Sequence, residues 1–247
     1  MLAAYTVTNY LVSELLKSLG VPLIVDDLYS LEADSLAALQ PLRALIFLFK
    51  WIPTSSQSAP LRAGTNDSEF PGFFAHQVVN NACATLAVLN ALGNIPSLEC
   101  GPKLAELLQF TTGMDPQTRG LVVTSSDWLR EMHNALSPPN AFSLDGLGLP
   151  KKAEDAYHFV VYLPVMGAVY ELDGLQPHPL RHGGYEDVGE GWVKTARYFM
   201  NRYYAPLSVP TDTFRHPREV IETRISTYPV GAVSIDVTFF QFHSHSK

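Results

Sequence analysis

Disulfide chemistry is the first thing this chain has no material for. Its 247 residues hold two cysteines, Cys83 and Cys100, too few for a disulfide framework. Metal-ligand spacing is missing too: no paired Cys or His motif occurs, and His243 and His245 fall in what reads as a frayed tail, so no metal or other cofactor is expected. The longest apolar run, Ala44–Phe49, falls far short of the roughly 20 residues that span a bilayer, which argues against a membrane partner. A positively charged start followed by an apolar block is also lacking, so no secretory leader is expected and the chain reads as intracellular. The 17 basic residues gather into no stripe, which argues against nucleic acid as a partner.

What is there is the make-up of a globular chain: 47% hydrophobic, 17% charged, with a formal charge of −7. The length suffices for one large domain, and no internal repeat divides it. Asn9–Gly20 reads as an amphipathic helix stopped by Gly20, with Leu11, Leu15, Leu16 and Leu19 on one face. Ala44–Phe49, bounded by Pro41 and Pro53, fits a strand buried on both faces. Residues 54–71 are rich in Ser, Pro, Gly and Asn and read as a flexible loop. Asn80 or Asn81 is the expected cap of a helix over Ala82–Leu92 that ends at Gly93. Further helical patterns cover Asp34–Leu39, Pro102–Phe110, Pro116–Leu121, Ser126–Leu136, Trp192–Tyr204 and Pro217–Arg224. Tyr157–Leu163 and Ala168–Leu172 form an expected hairpin around Pro164–Gly167, and Val230–Phe240 is the expected last strand. The order predicts a sheet flanked by helices.

Cys83 is the first candidate for chemistry. At a helix N-terminus a thiol meets unpaired backbone N–H groups and the positive end of the dipole, and both favour the nucleophilic thiolate. The plain alternative is a buried core cysteine. The hairpin supplies the next two candidates. If Leu163 pairs with Ala168, His158 falls opposite Asp173, with Cβ atoms about 4.5–5.5 Å apart. A carboxylate there would hold the imidazole in one tautomer, and with a thiol it makes a Cys–His–Asp arrangement. Alternatively, His158 merely opens a strand and Asp173 belongs to an Asp–Gly turn. Gln77, six residues before Cys83, carries two amide N–H donors that suit an oxyanion hole, or is an ordinary polar residue.

Three stretches in order resemble one known family. Phe73-Phe74-Ala75, Gln77 and Asn80–Thr85 (NNACAT) look like the nucleophile motif of the ubiquitin carboxyl-terminal hydrolases. Tyr157-His158-Phe159 is similar to that family's general-base motif, and Tyr170–Gly174 (YELDG) to its third catalytic motif. ALIFLFKW at Ala44–Trp51 resembles the longer, proteasome-associated branch. The resemblance implies an α+β fold, a papain-like α/β/α sandwich with a largely antiparallel sheet and a knotted backbone. It implies Cys83 as nucleophile, His158 as general base and acid, Asp173 as the group orienting His158, and Gln77 as oxyanion stabiliser. It further implies a single catalytic domain over 1–247, with residues 137–155 as a crossover loop above the site and an unusual insertion near 198–216. Ubiquitin and its conjugates are the implied partners, and cytoplasm or nucleus the implied location. The branch's C-terminal extension is lacking, so a proteasome partner is not expected. Met1–Thr8 also lacks the family's first strand. Two other readings are a ubiquitin-binding scaffold without turnover and a general papain-like peptidase with an open cleft.

Overall fold

The computed structural model describes residues 10, 12–28, 31–37, 39–50, 64–79, 82–136, 157–204 and 238–244. Within them lies one seven-stranded sheet made of β1 (Leu23–Leu28), β2 (Leu42–Lys50), β3 (Thr65–Asn66), β4 (Tyr157–Val165), β5 (Ala168–Leu172), β6 (Leu180–Gly184) and β7 (Thr238–Ser244). The strands run in the order β1-β7-β2-β4-β5-β6-β3, and every pairing is antiparallel. The helices are α1 (12–18), α2 (Ala33–Ala37), α3 (Cys83–Leu92), α4 (Pro102–Phe110), α5 (Pro116–Ser125), α6 (Asp127–Leu136) and α7 (Trp192–Tyr204).

Both faces of the sheet are covered, which explains strands that are apolar without alternation. Ala44, Ile46, Val161, Leu163 and Leu172 pack under α1 and α3–α6, together with Leu86, Leu89, Leu104, Val123 and Leu129. Leu45, Phe47, Val160, Tyr162 and Val169 pack on the other side, against α2 and the Trp192, Val193, Ala196 and Met200 face of α7. A bulge between Leu42 and Ala44 turns Leu42 to the same side as Leu45. The result is the expected sandwich of helices on either side of an antiparallel sheet.

Several local expectations hold for identifiable reasons. Gly20 ends α1 at φ +68°, and a Cβ there would strike the backbone of Gly101, so only glycine fits. Pro116 opens α5 behind Asp115, whose carboxylate accepts from the Thr118 N–H at 2.9 Å. That bond and the Thr118 hydroxyl hold the Asp115 carboxyl below its ordinary pKa.

Others need correction. Leu23–Leu28, where the sequence shows no alternation, is a full strand paired with β7. The span 54–71 contains the short strand β3. β4 continues through Pro164 to Val165, so the hairpin closes on two residues, Met166 and Gly167, at φ +44° and +80°. These left-handed angles suit a type I′ turn, which follows the twist of the strands where a four-residue loop would not. His243 is not in a frayed tail: β7 lies inside the sheet, and His243 pairs in register with Ile24 and Leu42. Residues 198–204 of the expected insertion continue α7. Met1–Thr8, the crossover segment 137–155, the rest of the insertion, the Pro217–Arg224 helix and residues 230–237 lie outside the described residues. The expected knotted path runs through those same segments.

Candidate active site

Cys83 is the first residue of α3, as its Ala/Leu-rich sequence led one to expect, but the cap is different. Ala82 occupies the N-cap, and no side chain caps the helix; Asn80 and Asn81 lie outside the described residues. With no cap oxygen on Ala82, the Cys83 sulfur meets the backbone N–H groups of Ala84 and of Cys83 itself. Those amides favour the thiolate. Burial acts against them and wins, pushing the Cys83 thiol above its ordinary pKa. Burial thus opposes the helix end at this thiol, and a neighbouring base would favour the thiolate.

The base candidate is already paired. His158 Nε2 lies 2.6 Å from Asp173 Oδ1, with both side chains buried. Their route to contact differs from the expected one. The tight turn pairs Val161 with Leu172, so Asp173 leaves β5 two residues short of lying opposite His158. A register shift of two residues keeps every side chain on its own face, and the diagonal neighbour stays within reach. Asp173 is also fixed from its own side: Oδ1 accepts from the Leu175 N–H at 3.0 Å, and the Asp173 carbonyl accepts from the Gln176 N–H at 2.9 Å. The two sequence alternatives thus merge, because the Asp–Gly turn is what aims the carboxylate. Since Nε2 donates to Asp173, the chemistry of a base falls to Nδ1.

Gln77 sits in no helix or strand. Its N–H donates to the Gly174 carbonyl at 2.8 Å, which ties it to the turn carrying Asp173. A Cβ on Gly174 would lie 3.2 Å from the Gln77 Cβ, so the close approach depends on glycine. On the other side the His76 N–H donates to the Pro116 carbonyl at 2.9 Å, and the His76 ring bridges Gln117 and the Pro177 carbonyl. Arg119, buried in α5, donates to the Phe74 carbonyl at 2.7 Å and to that of Thr111 at 3.3 Å, over the Phe73 ring. Burial lowers the Arg119 pKa from its usual value, but the guanidinium stays charged, and the carbonyls satisfy its donors.

The structure therefore joins His158 to Asp173 directly, hangs Gln77 on the same turn, and places Cys83 at the head of a helix that packs across β4. Sequence reading missed Asn90, Asn94 and Arg119, which hold the Gln77 segment. Part of their signal was present: Asn90 interrupts the apolar run of α3, and Asn94 follows its closing Gly93. Among the described residues, no group of three His, Cys, Asp or Glu side chains could hold a metal ion, and no helix is long and apolar enough to cross a membrane.

Comparison with known proteins decides the family. Residues 9–204 match the family described as ubiquitin carboxyl-terminal hydrolase, family 1. The chain belongs to that family. It is 37% identical over 193 residues to the ubiquitin carboxyl-terminal hydrolase ubh-4 of Caenorhabditis elegans, covering 75% of this chain and 56% of that protein. It is 36% identical over 173 residues to ubiquitin carboxyl-terminal hydrolase 2 of Schizosaccharomyces pombe, covering 69% and 57%. The chain thus spans a little over half the length of these relatives. Among solved structures it is similar to the catalytic domain of Trichinella spiralis UCH37 bound to ubiquitin vinyl methyl ester, at 29% identity and a TM-score of 0.64. That match covers 96% of this chain and 92% of the other. It bears out the papain-like α/β/α fold expected from the family's three motifs.

Proposed function

We propose that this chain is a deubiquitinating thiol hydrolase that cleaves ester, thioester, amide or isopeptide bonds at the C-terminal glycine of ubiquitin. The observation that carries the proposal is the buried 2.6 Å contact between His158 and Asp173, in a family chain whose Cys83 heads the helix packed across the same strand. The reaction is acyl transfer in two steps. His158 Nδ1 takes the Cys83 proton, and the sulfur attacks the last ubiquitin carbonyl. Gln77 donates to the oxygen that becomes negative. His158 then gives its proton to the leaving amine, and the thioester remains. In the second step His158 activates water, which attacks the thioester, and Cys83 regains its proton as ubiquitin leaves with a free carboxylate.

Two features support ubiquitin as the partner: the Trichinella relative was captured with a ubiquitin ester, and an acidic enzyme suits a substrate tail that contains arginine. The cytoplasm or nucleus, where ubiquitin conjugates occur, is the location this reading requires. The test is incubation with ubiquitin bearing a C-terminal electrophile. A covalent adduct that disappears in Cys83→Ala supports the reading. Ubiquitin binding without an adduct would replace it with a scaffold, and cleavage of denatured casein at a comparable rate would replace it with a general peptidase.

A further inference from the structure

Residues 73–77 belong to no helix or strand, and no strand pairs with them. An unpaired, buried backbone of this kind is costly unless its polar groups find other partners. Here α3 and the turn after it supply them. Asn90 Oδ1 accepts from the Ala75 N–H at 2.8 Å, and its Nδ2 donates to the Ala75 carbonyl at 3.2 Å. One turn later, Asn94 Oδ1 accepts from the Phe73 N–H at 2.8 Å, and its Nδ2 donates to the Phe73 carbonyl at 2.7 Å. The Asn94 amide also donates to the Asn90 carbonyl at 2.7 Å.

The spacing makes this a ladder. Four residues of helix rise about 6 Å, and two residues of strand advance about 6.6 Å. Asn90 near the end of α3 and Asn94 just past it, four residues apart, therefore reach Ala75 and Phe73, two residues apart in the facing segment. Each amide presents one acceptor and one donor, as a neighbouring strand would. The segment runs antiparallel to α3, because Asn90 meets Ala75 and Asn94 meets Phe73. Moving from Ala75 to Gln77 consequently moves toward the helix head. Cys83 lies about 10.5 Å along the axis from Asn90, and Gln77 recovers about 6.6 Å of that distance.

We infer that Asn90 and Asn94 are positioning residues that set the height of the Gln77 amide against the Cys83 sulfur. The inference rests on the reading of Cys83 as nucleophile and Gln77 as oxyanion donor. One helix thus carries the nucleophile at its head and, two turns down, the grip on the group that stabilises the resulting oxyanion. Asn90 is 1% exposed, and α3 leaves it no other face to serve.

The experiment is a cycle of wild type, Asn90→Ala, Gln77→Ala and the double variant, measured on two reactions. Hydrolysis of a ubiquitin C-terminal amide uses the oxyanion site; alkylation of Cys83 by iodoacetamide uses the thiolate alone. Asn90→Ala should lower kcat about 10²-fold, as Gln77→Ala does, with KM and the alkylation rate unchanged. The double variant should lose no more than Gln77→Ala, because the group being positioned is already gone. Losses that add, or alkylation that falls in parallel with hydrolysis, would overturn the inference and leave the asparagines a purely structural pin. Should Asn90→Ala not fold, the half-buried Asn94→Ala passes through the same cycle. Hydrogen exchange gives a readout that needs no turnover: the Phe73 amide, and with it the Ala75 and Gln77 amides further along the segment, should lose protection in Asn94→Ala while the α3 amides keep theirs. Unchanged protection at those amides sinks the inference. A wild type without ubiquitin hydrolysis sinks the proposed function instead, and the exchange measurement still decides this one.

Discussion

Two buried histidine–carboxylate pairs lie side by side in this sheet, and only one of them belongs to the candidate active site. His158 meets Asp173 at 2.6 Å, and His182 meets Glu171 at 3.0 Å. The carboxylates are two residues apart along the chain, so the chemistry offered by each pair is the same. The surroundings differ. Glu171 Oε2 also accepts from the Tyr162 hydroxyl at 2.9 Å, and His182 is stacked on the Tyr162 ring and packed against Phe199 of α7. The His182 Nδ1 is buried without a hydrogen-bond partner among the described residues. Its imidazole faces rings where the first pair shares its strand with the nucleophile helix. An imidazole held by a carboxylate is therefore not by itself a signature of catalysis. What separates the two pairs is their setting: the helix headed by Cys83 packs across the strand of His158, which gives the first pair its meaning, and the turn of Asp173 holds Gln77.

Substitutions sharpen that contrast. The largest effect is expected from His158→Gln, which should reduce ubiquitin hydrolysis to the level of Cys83→Ala. Because burial holds the Cys83 thiol above its ordinary value, its thiolate then forms only at more alkaline pH. The pH curve for iodoacetamide alkylation should shift upward accordingly; a curve unchanged from wild type would show that His158 does not serve the thiol. Asp173→Asn comes next, with kcat lower by on the order of 10²–10⁴-fold and the fold intact by circular dichroism. Unchanged turnover would remove Asp173 from the mechanism. Gln77→Ala should follow at about 10²–10³-fold in kcat with KM steady, the loss expected of one oxyanion donor. The smallest catalytic effect belongs to the second pair. Glu171→Gln should leave kcat within about threefold while lowering stability by about 1–3 kcal/mol in chemical denaturation, since it weakens bonds from both Tyr162 and His182. A turnover loss as deep as that of Asp173→Asn would erase the distinction between the pairs.

The sequence made the chemistry easier to read than the sheet. His158, Asp173, Cys83 and Gln77 stand in short ordered motifs, and periodicity located α3 and α7, where packing follows a local repeat. The hairpin was legible as a hairpin, but its register was not: Pro164 suggested a loop, whereas the next residue still pairs in the strand, opposite Ala168. Leu23–Leu28 hid because two acidic residues break its apolar pattern, and its partner lies more than 200 residues away. Asn90 was visible as an oddity on a core helix and Asn94 as a residue just past its end, but their meaning depends on a segment that only the tertiary structure brings alongside.

The placement of β7 carries a consequence for how this molecule comes into being. In the sheet it stands between β1 and β2, the two earliest strands, and no described strand other than β7 pairs with β1. Strands β2, β4, β5 and β6 can zip together while the ribosome is still at work, but β1 must wait for a strand synthesised more than 200 residues later. Long-range pairing of this kind slows folding. The nascent chain therefore holds an open sheet edge until β7 has emerged, a window in which a chaperone has the most to protect.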